Sequence, residues 1–322
     1  LQNYTVNMQF HLNHIPEKPG FTIDHTHSVF LMGSCFSSNI GSLLSDHKFK
    51  ITVNPNGILF NPSSIFTSLQ TILKQHHPEE KSILQRGENF YSYFHHSSVN
   101  AGSKEKLVEE IVDTNKKNLE FIKKCDYLII TFGTAFHYHH KGLNTTVANC
   151  HKRPGNLFEK KLLSVSQITE QCQSLLNDLK VLNTKLKVIF TVSPVKYLKD
   201  GVVENTLSKS TLILAIHDII RANQNCFYFP AYELVNDDLR DYRFYKEDLA
   251  HPNEQAIKYI WEKFSTCYFS SATQSLNKLI HELNQAVEHR QMQKNDSETL
   301  KLKDFIEKKE QVIRKLFPAV LF

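Results

Sequence analysis

The sequence predicts an α/β protein, a three-layer αβα sandwich around a mostly parallel five-stranded sheet. Short apolar runs occur at 28–32 (SVFLM), 49–53 (FKITV), 126–131 (DYLIIT), 186–192 (LKVIFTV) and 226–229 (CFYF), each the length of a buried strand. They do not alternate with polar residues, which suits strands covered on both faces. Helix-like segments of ten or more residues separate them, and a repeated strand–helix–strand order implies right-handed crossovers.

Taken in order, the first run stops at Gly33-Ser34-Cys35, and small polar residues then lead into a helix. The later runs end at Gly133-Thr134 and Ser193-Pro194. Function in such sheets gathers at the carboxyl ends of the strands, so these three segments should share one edge. From Pro252 the segment PNEQAIKYIWEKF reads as a helix with Pro252 in its first turn. Ala256, Ile257, Ile260, Trp261 and Phe264 make its apolar face. Past about residue 270 the chain changes character. SLNKLIHELNQAVEH and LKLKDFIEKKEQVIRKLF read as two amphipathic helices broken at Lys294-Asn295-Asp296-Ser297, and the end FPAVLF favours docking over free solvation. The expected organisation is one body over 1–270 and a helical extension over 271–322, the latter offering a surface for packing or homo-oligomer formation.

Composition narrows the function classes. The chain has 322 residues, 41% hydrophobic and 22% charged, which describes a soluble globular protein with a sizeable core. No apolar run approaches the roughly 20 residues of a bilayer span. The net charge of +5 is spread along the chain and is densest where Lys and Glu interleave near the C-terminus. No basic motif concentrates it, so neither nucleic acid nor membrane is an expected partner. Cys35, Cys125, Cys150, Cys172, Cys226 and Cys267 are far apart with no Cys-x-x-Cys pair, which argues against a disulfide scaffold and a zinc ribbon. Reduced thiols, and a start LQNYTVNMQF without a basic stretch leading into an apolar core, set the expectation of a cytoplasmic protein.

A cysteine between a strand and a helix lies at the positive end of the helix dipole, which favours its thiolate. Neighbouring N–H groups can receive an oxyanion. The plainer alternative is that Gly33 permits the turn, Ser34 caps the helix and Cys35 is a small buried filler. Phosphate chemistry is disfavoured. Of a Gly-x-Gly-x-x-Gly fingerprint only Gly33 and Gly41 are present, no Gly-Lys-Ser/Thr occurs, and the residue six after Cys35 is Gly41 rather than a phosphate-gripping arginine. Far along the chain, Asp248 and His251 are three apart near a helix start. The carboxylate can accept the imidazole Nδ1–H and leave Nε2 free to take a proton. In a chain of 17 histidines that spacing alone is weak, a capping aspartate beside a surface histidine being the alternative. Coupled to a nucleophile turn it becomes a triad order already known from other hydrolases.

These residues resemble the SGNH/GDSL hydrolase superfamily, where a Gly-Asp-Ser turn follows the first strand and Asp-x-x-His precedes the last helix. More closely, the chain is similar to the GSCFA-domain family. The likeness runs through GSCFSSNIG (33–41), NPNGILFNP (54–62), TFGTAF (131–136), VANCHKRP (147–154), TVSPVKYLKDG (191–201), YFPAYE (228–233), DLRDYRFY (238–245) and EDLAHPN (247–253). It implies a flavodoxin-like sheet and aligns Cys35 with the nucleophilic serine, with Ser34 as the neighbouring rival. It further implies Asp248 and His251 as acid and base, and Gly57 as an oxyanion donor beside Cys35. The third block, usually Gly-x-Asn-Asp, reads Gly133-Thr134-Ala135-Phe136 here, so its asparagine is missing; Asn149 is the candidate replacement.

The remaining polar clusters are His95-His96, His137-Tyr138-His139-His140 and Cys150-His151. Their spacings do not point ligands one way, so no metal is expected, and the implied chemistry needs no cofactor. His137 and His151 are expected instead to line the strand-edge cleft and bind substrate. Arg153, Lys196 and Lys209 could meet an anionic substrate, although solvated lysines are the commoner outcome. Arg240, Asp241 and Arg243 are expected to form ion pairs that hold the loop before Asp248. The function expected is an esterase or acyltransferase acting on an acylated polar small molecule, an acetylated carbohydrate among the candidates. The alternatives are a catalytically impaired binding protein on the same fold, and an interaction scaffold working through the C-terminal helices.

Overall fold

In chain order the elements are β1 (Ser28–Gly33), α1 (Cys35–Asp46), β2 (Lys50–Val53), α2 (Pro62–Lys74), β3 (Ile83–Arg86), β4 (Asn89–Ser92), β5 (Asn100–Ala101) and α3 (Lys104–Lys124). There follow β6 (Tyr127–Phe132), β7 (Phe136–His140), β8 (Thr145–Val147), β9 (Phe158–Leu162), α4 (Val165–Leu182), β10 (Lys187–Val192), α5 (Val202–Ala222) and β11 (Cys226–Tyr228). The chain closes with the short α6 (Ala231–Glu233), α7 (Glu254–Tyr268), α8 (Ser271–Met292) and α9 (Asp296–Leu316). This computed structural model describes residues 12–292, 296–318 and 320.

The central sheet has the order β11-β10-β6-β1-β2, and every pairing in it is parallel. All five expected strands are present. Numbered among themselves they run 2-1-3-4-5, the doubly wound flavodoxin-like order, whose direction of winding reverses between β1 and β6. Alternate residues of the central strands feed two separate cores. Phe30, Met32, Leu128, Ile130, Phe132, Val188 and Phe190 face one, under α2, α4 and α5. Val29, Leu31, Tyr127, Ile129 and Ile189 face the other, with α1 and α7. An unalternating apolar strand is the direct consequence of that double burial.

Two small antiparallel sheets, β3-β4-β5 and β8-β7-β9, are inserted at the carboxyl edge of the main sheet's connections and were not expected. Their strands are two to five residues long and carry mixed polar sequences such as NFYS and FHYHH, too short for a period to register. One expectation at α7 is corrected. Pro252 lies outside the helix, and Asn253 is its N-cap, with Oδ1 accepting the Ala256 N–H at 3.1 Å. The apolar face is otherwise as expected, Ala256, Ile260 and Phe264 being buried.

The two C-terminal helices exist. Lys294 and Asn295 of the expected break lie outside the described residues, while Asp296 and Ser297 open α9. Leu276, Ile280, Leu283, Ile306, Ile313 and Val320 form a third apolar cluster between them. The pair meets the main body at the far end of α1: Asn284 Nδ2 donates to the Asp46 carbonyl at 2.7 Å. The His47 ring there lies 6.3 Å from that of His281 and 5.1 Å from that of Trp261.

At the β1–α1 corner, Gly33 has φ +142°, and a Cβ there would sit 2.1 Å from the Thr131 carbonyl oxygen of β6. Gly33→Ala is therefore expected to lower unfolding stability by more than about 2 kcal/mol, combining an unfavourable φ with overpacking. A urea unfolding midpoint equal to wild type would contradict this account of the corner.

Candidate functional site

The corner is tied down on every side. The Gly33 N–H donates to Asn54 Oδ1 at 2.8 Å, the Ser34 N–H to Thr131 O at 3.2 Å, and the Leu59 N–H to Gly33 O at 3.0 Å. Asn54 itself, at φ 42°, donates its N–H to Leu31 O and its Nδ2 to Ser38 Oγ at 2.9 Å. One asparagine thus joins β1, β2 and α1, a role the sequence reading missed by attending to Gly57 in the same NPNG segment. The signal was present, since asparagine is the residue that combines left-handed backbone with local side-chain bonding.

Ser34 is 1% exposed and caps α1, its Oγ accepting the Phe36 N–H at 3.3 Å. Cys35, the first residue of the helix, is half-buried. Of the two adjacent hydroxyl and thiol groups, the thiol is the accessible one. Burial pushes the Cys35 thiol up, against the pull of its own N–H, the Phe36 N–H and the charges of Lys209 and Lys246. The helix N-terminus acts in the expected direction, but desolvation outweighs it.

The Asp248–His251 pair is built as the spacing implied. Asp248 Oδ1 accepts the N–H groups of Ala250 and His251, both at 2.9 Å, and Oδ2 lies 2.6 Å from His251 Nδ1. Those backbone donors, foremost that of His251, hold the Asp248 carboxyl down at about 2. The contribution of this turn to stability is complete above the ordinary carboxylate range and is lost as pH falls toward 2. Leu249 takes a left-handed conformation (φ 56°) to let the turn close. The loop is fixed to the strand edge by the Lys196 N–H, which donates to Ala250 O at 3.0 Å just past β10, and is closed on itself by a bridge between Tyr245 and Pro252. Of the expected network of Arg240, Asp241 and Arg243, the exposed pair Asp241–Arg243 is present at 2.8 Å, while no ion pair of Arg240 is found among the described residues. Lys246, whose N–H donates to His251 O at 2.7 Å, also acts electrostatically on Cys35.

Three expectations are corrected. The Gly57 N–H closes a turn onto Asn54 O at 2.8 Å, and at φ +76° a Cβ there would lie 2.3 Å from His96 Cβ. Gly57 is a turn and packing glycine, and its donor is already engaged. His137 and His151 are 8% and 2% exposed, with His137 Nδ1 on Thr146 Oγ1 at 2.8 Å and His151 Nε2 on Ser92 O at 2.8 Å. They hold the small sheets rather than present nitrogens to a cleft. Lys209 is no solvated lysine: it is 1% exposed, with Nζ 2.7 Å from both Gly133 O and Ser193 O.

Asn149 accepts the His151 N–H at 2.8 Å through Oδ1. Among the described residues no group of three or more His, Cys, Asp or Glu side chains is arranged to hold a metal ion, and no helix is long and apolar enough to cross a membrane. A surface cavity of about 270 Å³ opens beside the loop, lined by Lys196, Asn236, Asp237, Arg240, Tyr242 and Tyr245 among others.

A doubly wound sheet with a cysteine turn at its winding reversal defines an α/β protein with this candidate site at the strand edge. The chain matches the GSCFA family over residues 28–264 and belongs to it. Among curated proteins no sequence relative matches. Two solved structures resemble the chain remotely. One is a carbohydrate esterase family 2 enzyme plus carbohydrate binding domain from Corynascus thermopiles (Myceliophthora fergusii), at 12% identity and TM-score 0.39, over 79% of this chain and 67% of that one. The other is a carbohydrate esterase family 3 protein from Talaromyces cellulolyticus, at 10% identity and TM-score 0.34, over 80% of this chain and 99% of that one. Likenesses this distant do not bear on the chemistry.

Of the six thiols, Cys35 and Cys150 are half-buried and the other four are buried. Brief iodoacetamide treatment of the native protein should label Cys35 and Cys150 alone. Peptide mass spectrometry showing Cys172 or Cys226 modified as fast would refute the placement of these side chains.

Proposed function

We propose that the protein is an acyl-ester hydrolase or acyltransferase whose nucleophile is Cys35. The carrying observation is the position of this thiol: half-buried at the helix N-terminus, where the sheet reverses its winding, on the edge to which the Asp248–His251 loop is also tied. The SGNH-like order of nucleophile, acid and base supports the same reading.

The chemistry follows in two halves. The Sγ–H proton passes to His251 Nε2 and the sulfur attacks the acyl carbonyl, giving a tetrahedral oxyanion. The Cys35 N–H, in the first helical turn and so without an intrahelical acceptor, is the donor placed to receive it. Collapse breaks the ester C–O bond; the leaving alkoxide takes a proton from His251 Nε2, and a thioester remains on Cys35. His251, oriented by Asp248, then draws a proton from water or an acceptor hydroxyl as its oxygen bonds the acyl carbon; the C–S bond breaks, the proton returns to sulfur, and the acid or a new ester leaves. We assign the polar alcohol part to the cavity beside Tyr242, which opens next to the loop that carries Asp248 and His251, and an acetylated sugar is the substrate class we favour. With the Gly57 N–H engaged and no block-three asparagine, the oxyanion is held by fewer donors than in an SGNH enzyme, so turnover should be slow. Each missing donor costs about 3 kcal/mol of transition-state stabilisation.

The same observations favour, as second reading, a binding protein that retains the pocket without turnover. A panel of acyl esters and acetylated sugars separates the two. Cys35→Ala and His251→Ala should each lower kcat by about a thousandfold or more, and Ser34→Ala should alter kcat far less. Retained ligand affinity with no turnover in wild type would establish the binding reading, and a dead Ser34→Ala beside an active Cys35→Ala would move the nucleophile.

A further inference from the structure

The cavity beside the Asp248–His251 loop, about 270 Å³, is at the small end of ligand pockets and has room for one sugar-sized group. Two cations line it, Lys196 and Arg240, and neither has an ion pair to a carboxylate among the described residues. Lys196 Nζ lies against two tyrosine rings, 4.1 Å from the centroid of Tyr242 and 4.2 Å from that of Tyr245. Aromatic faces hold an ammonium in place and leave its charge uncancelled. The main chain of Lys196 is fixed as well, through its N–H on the carbonyl of Ala250, the residue before His251. Of the three cations that the sequence offers to an anionic substrate, only Lys196 lines this cavity.

Arg240 ends a π-helical turn over Leu234–Leu239, donating its N–H to Val235 O at 3.1 Å from a left-handed backbone (φ 39°). Glycine or asparagine is the usual occupant of such a helix end. An arginine holds it against its own conformational preference, and its guanidinium is the group left without a counter-charge. Acidic side chains share the lining. Asp241 is paired with Arg243 at 2.8 Å, whereas Asp237 accepts only the Asn236 Nδ2 at 3.3 Å, a neutral donor that leaves its charge standing. Lys196 and Arg240 thus outnumber the one carboxylate that lacks a cationic partner, and the cavity has a positive charge in excess.

We infer that this cavity takes an acidic group, a carboxylate or a phosphate monoester, carried on the alcohol part of the substrate. Lys196 meets it as a point charge and Arg240 through its planar fork of donors. Tyr242, 60% exposed, offers the free part of its ring to the apolar face of the sugar. Asp237 opposes the anion and accepts sugar hydroxyls, so the wall reads both the charge and the body of the ligand. The substrate class is then an acylated acidic sugar rather than a neutral one. This inference rests on the reading of the cavity as the alcohol site and concerns which alcohols it holds.

The test is calorimetric titration of the full chain, as wild type and Cys35→Ala, with glucose, glucuronate and glucose 6-phosphate. At least one acid should bind about tenfold or more tighter than glucose, and the margin should shrink as sodium chloride is added. The acid with the larger margin identifies the group. Lys196→Met and Arg240→Ala should each remove most of the margin. Asp237→Asn should widen it by about threefold, a gain that damaged folding does not produce. No tighter binding of either acid than of glucose, a margin untouched by both Lys196→Met and Arg240→Ala, or one narrowed by Asp237→Asn would each overturn the inference. The wild-type titration decides it even if a variant fails to fold. Acid binding without any ester turnover would uphold the cavity assignment and remove the hydrolase reading. Turnover of acetylated glucose by a protein with no preference for acids would do the reverse.

Discussion

The close approach of β1 and β6 at residue 33 governs everything built at the strand edge. Backbone meets backbone there with no space for a Cβ, and the Ser34 N–H goes to the Thr131 carbonyl of the neighbouring strand. That contact ends β1, turns the chain into α1 and delivers Cys35 at the first helical position. It also occurs where a doubly wound sheet leaves a crevice between connections of opposite direction. Asn54 reinforces it from β2, so three elements agree on one corner and the thiol has little freedom to wander.

Charge at this edge is managed by burial as much as by pairing. Desolvation raises the Cys35 thiol and lowers the Lys209 amine, so both buried groups tend toward neutrality. The Asp248–His251 turn is the opposite case, its carboxylate satisfied by two backbone donors and standing in solvent. A half-buried sulfur and an exposed carboxylate are consequently tuned by different physics: one by the dielectric around it, the other by hydrogen-bond geometry.

The sheet was legible because double burial writes itself as unbroken apolar runs, and all five were readable. The Asp248–His251 bond was legible because a three-residue spacing is local. What stayed hidden depends on contacts between distant segments. Gly57 and the Asn54 that takes its N–H belong to one motif, and only the paired strands show which of them braces the Cys35 turn. The strands of the two small sheets are shorter than any period. His137 and His151 look like substrate-binding side chains in sequence and are structural once Thr146 and the Ser92 carbonyl are seen beside them. Lys209 could have been suspected, since the stripe through Leu212 and Ile216 runs through it; its polar type alone suggested the surface.

The docking of α8 at the back of α1 has a mechanical corollary. Asn284 grips the carbonyl of Asp46, the last residue of a twelve-residue rod whose first residue carries the sulfur. At 1.5 Å per residue the rod is about 18 Å long, and helices transmit axial displacement stiffly. A displacement of the C-terminal arm is therefore coupled to Cys35 along a single rod, without having to pass through the sheet.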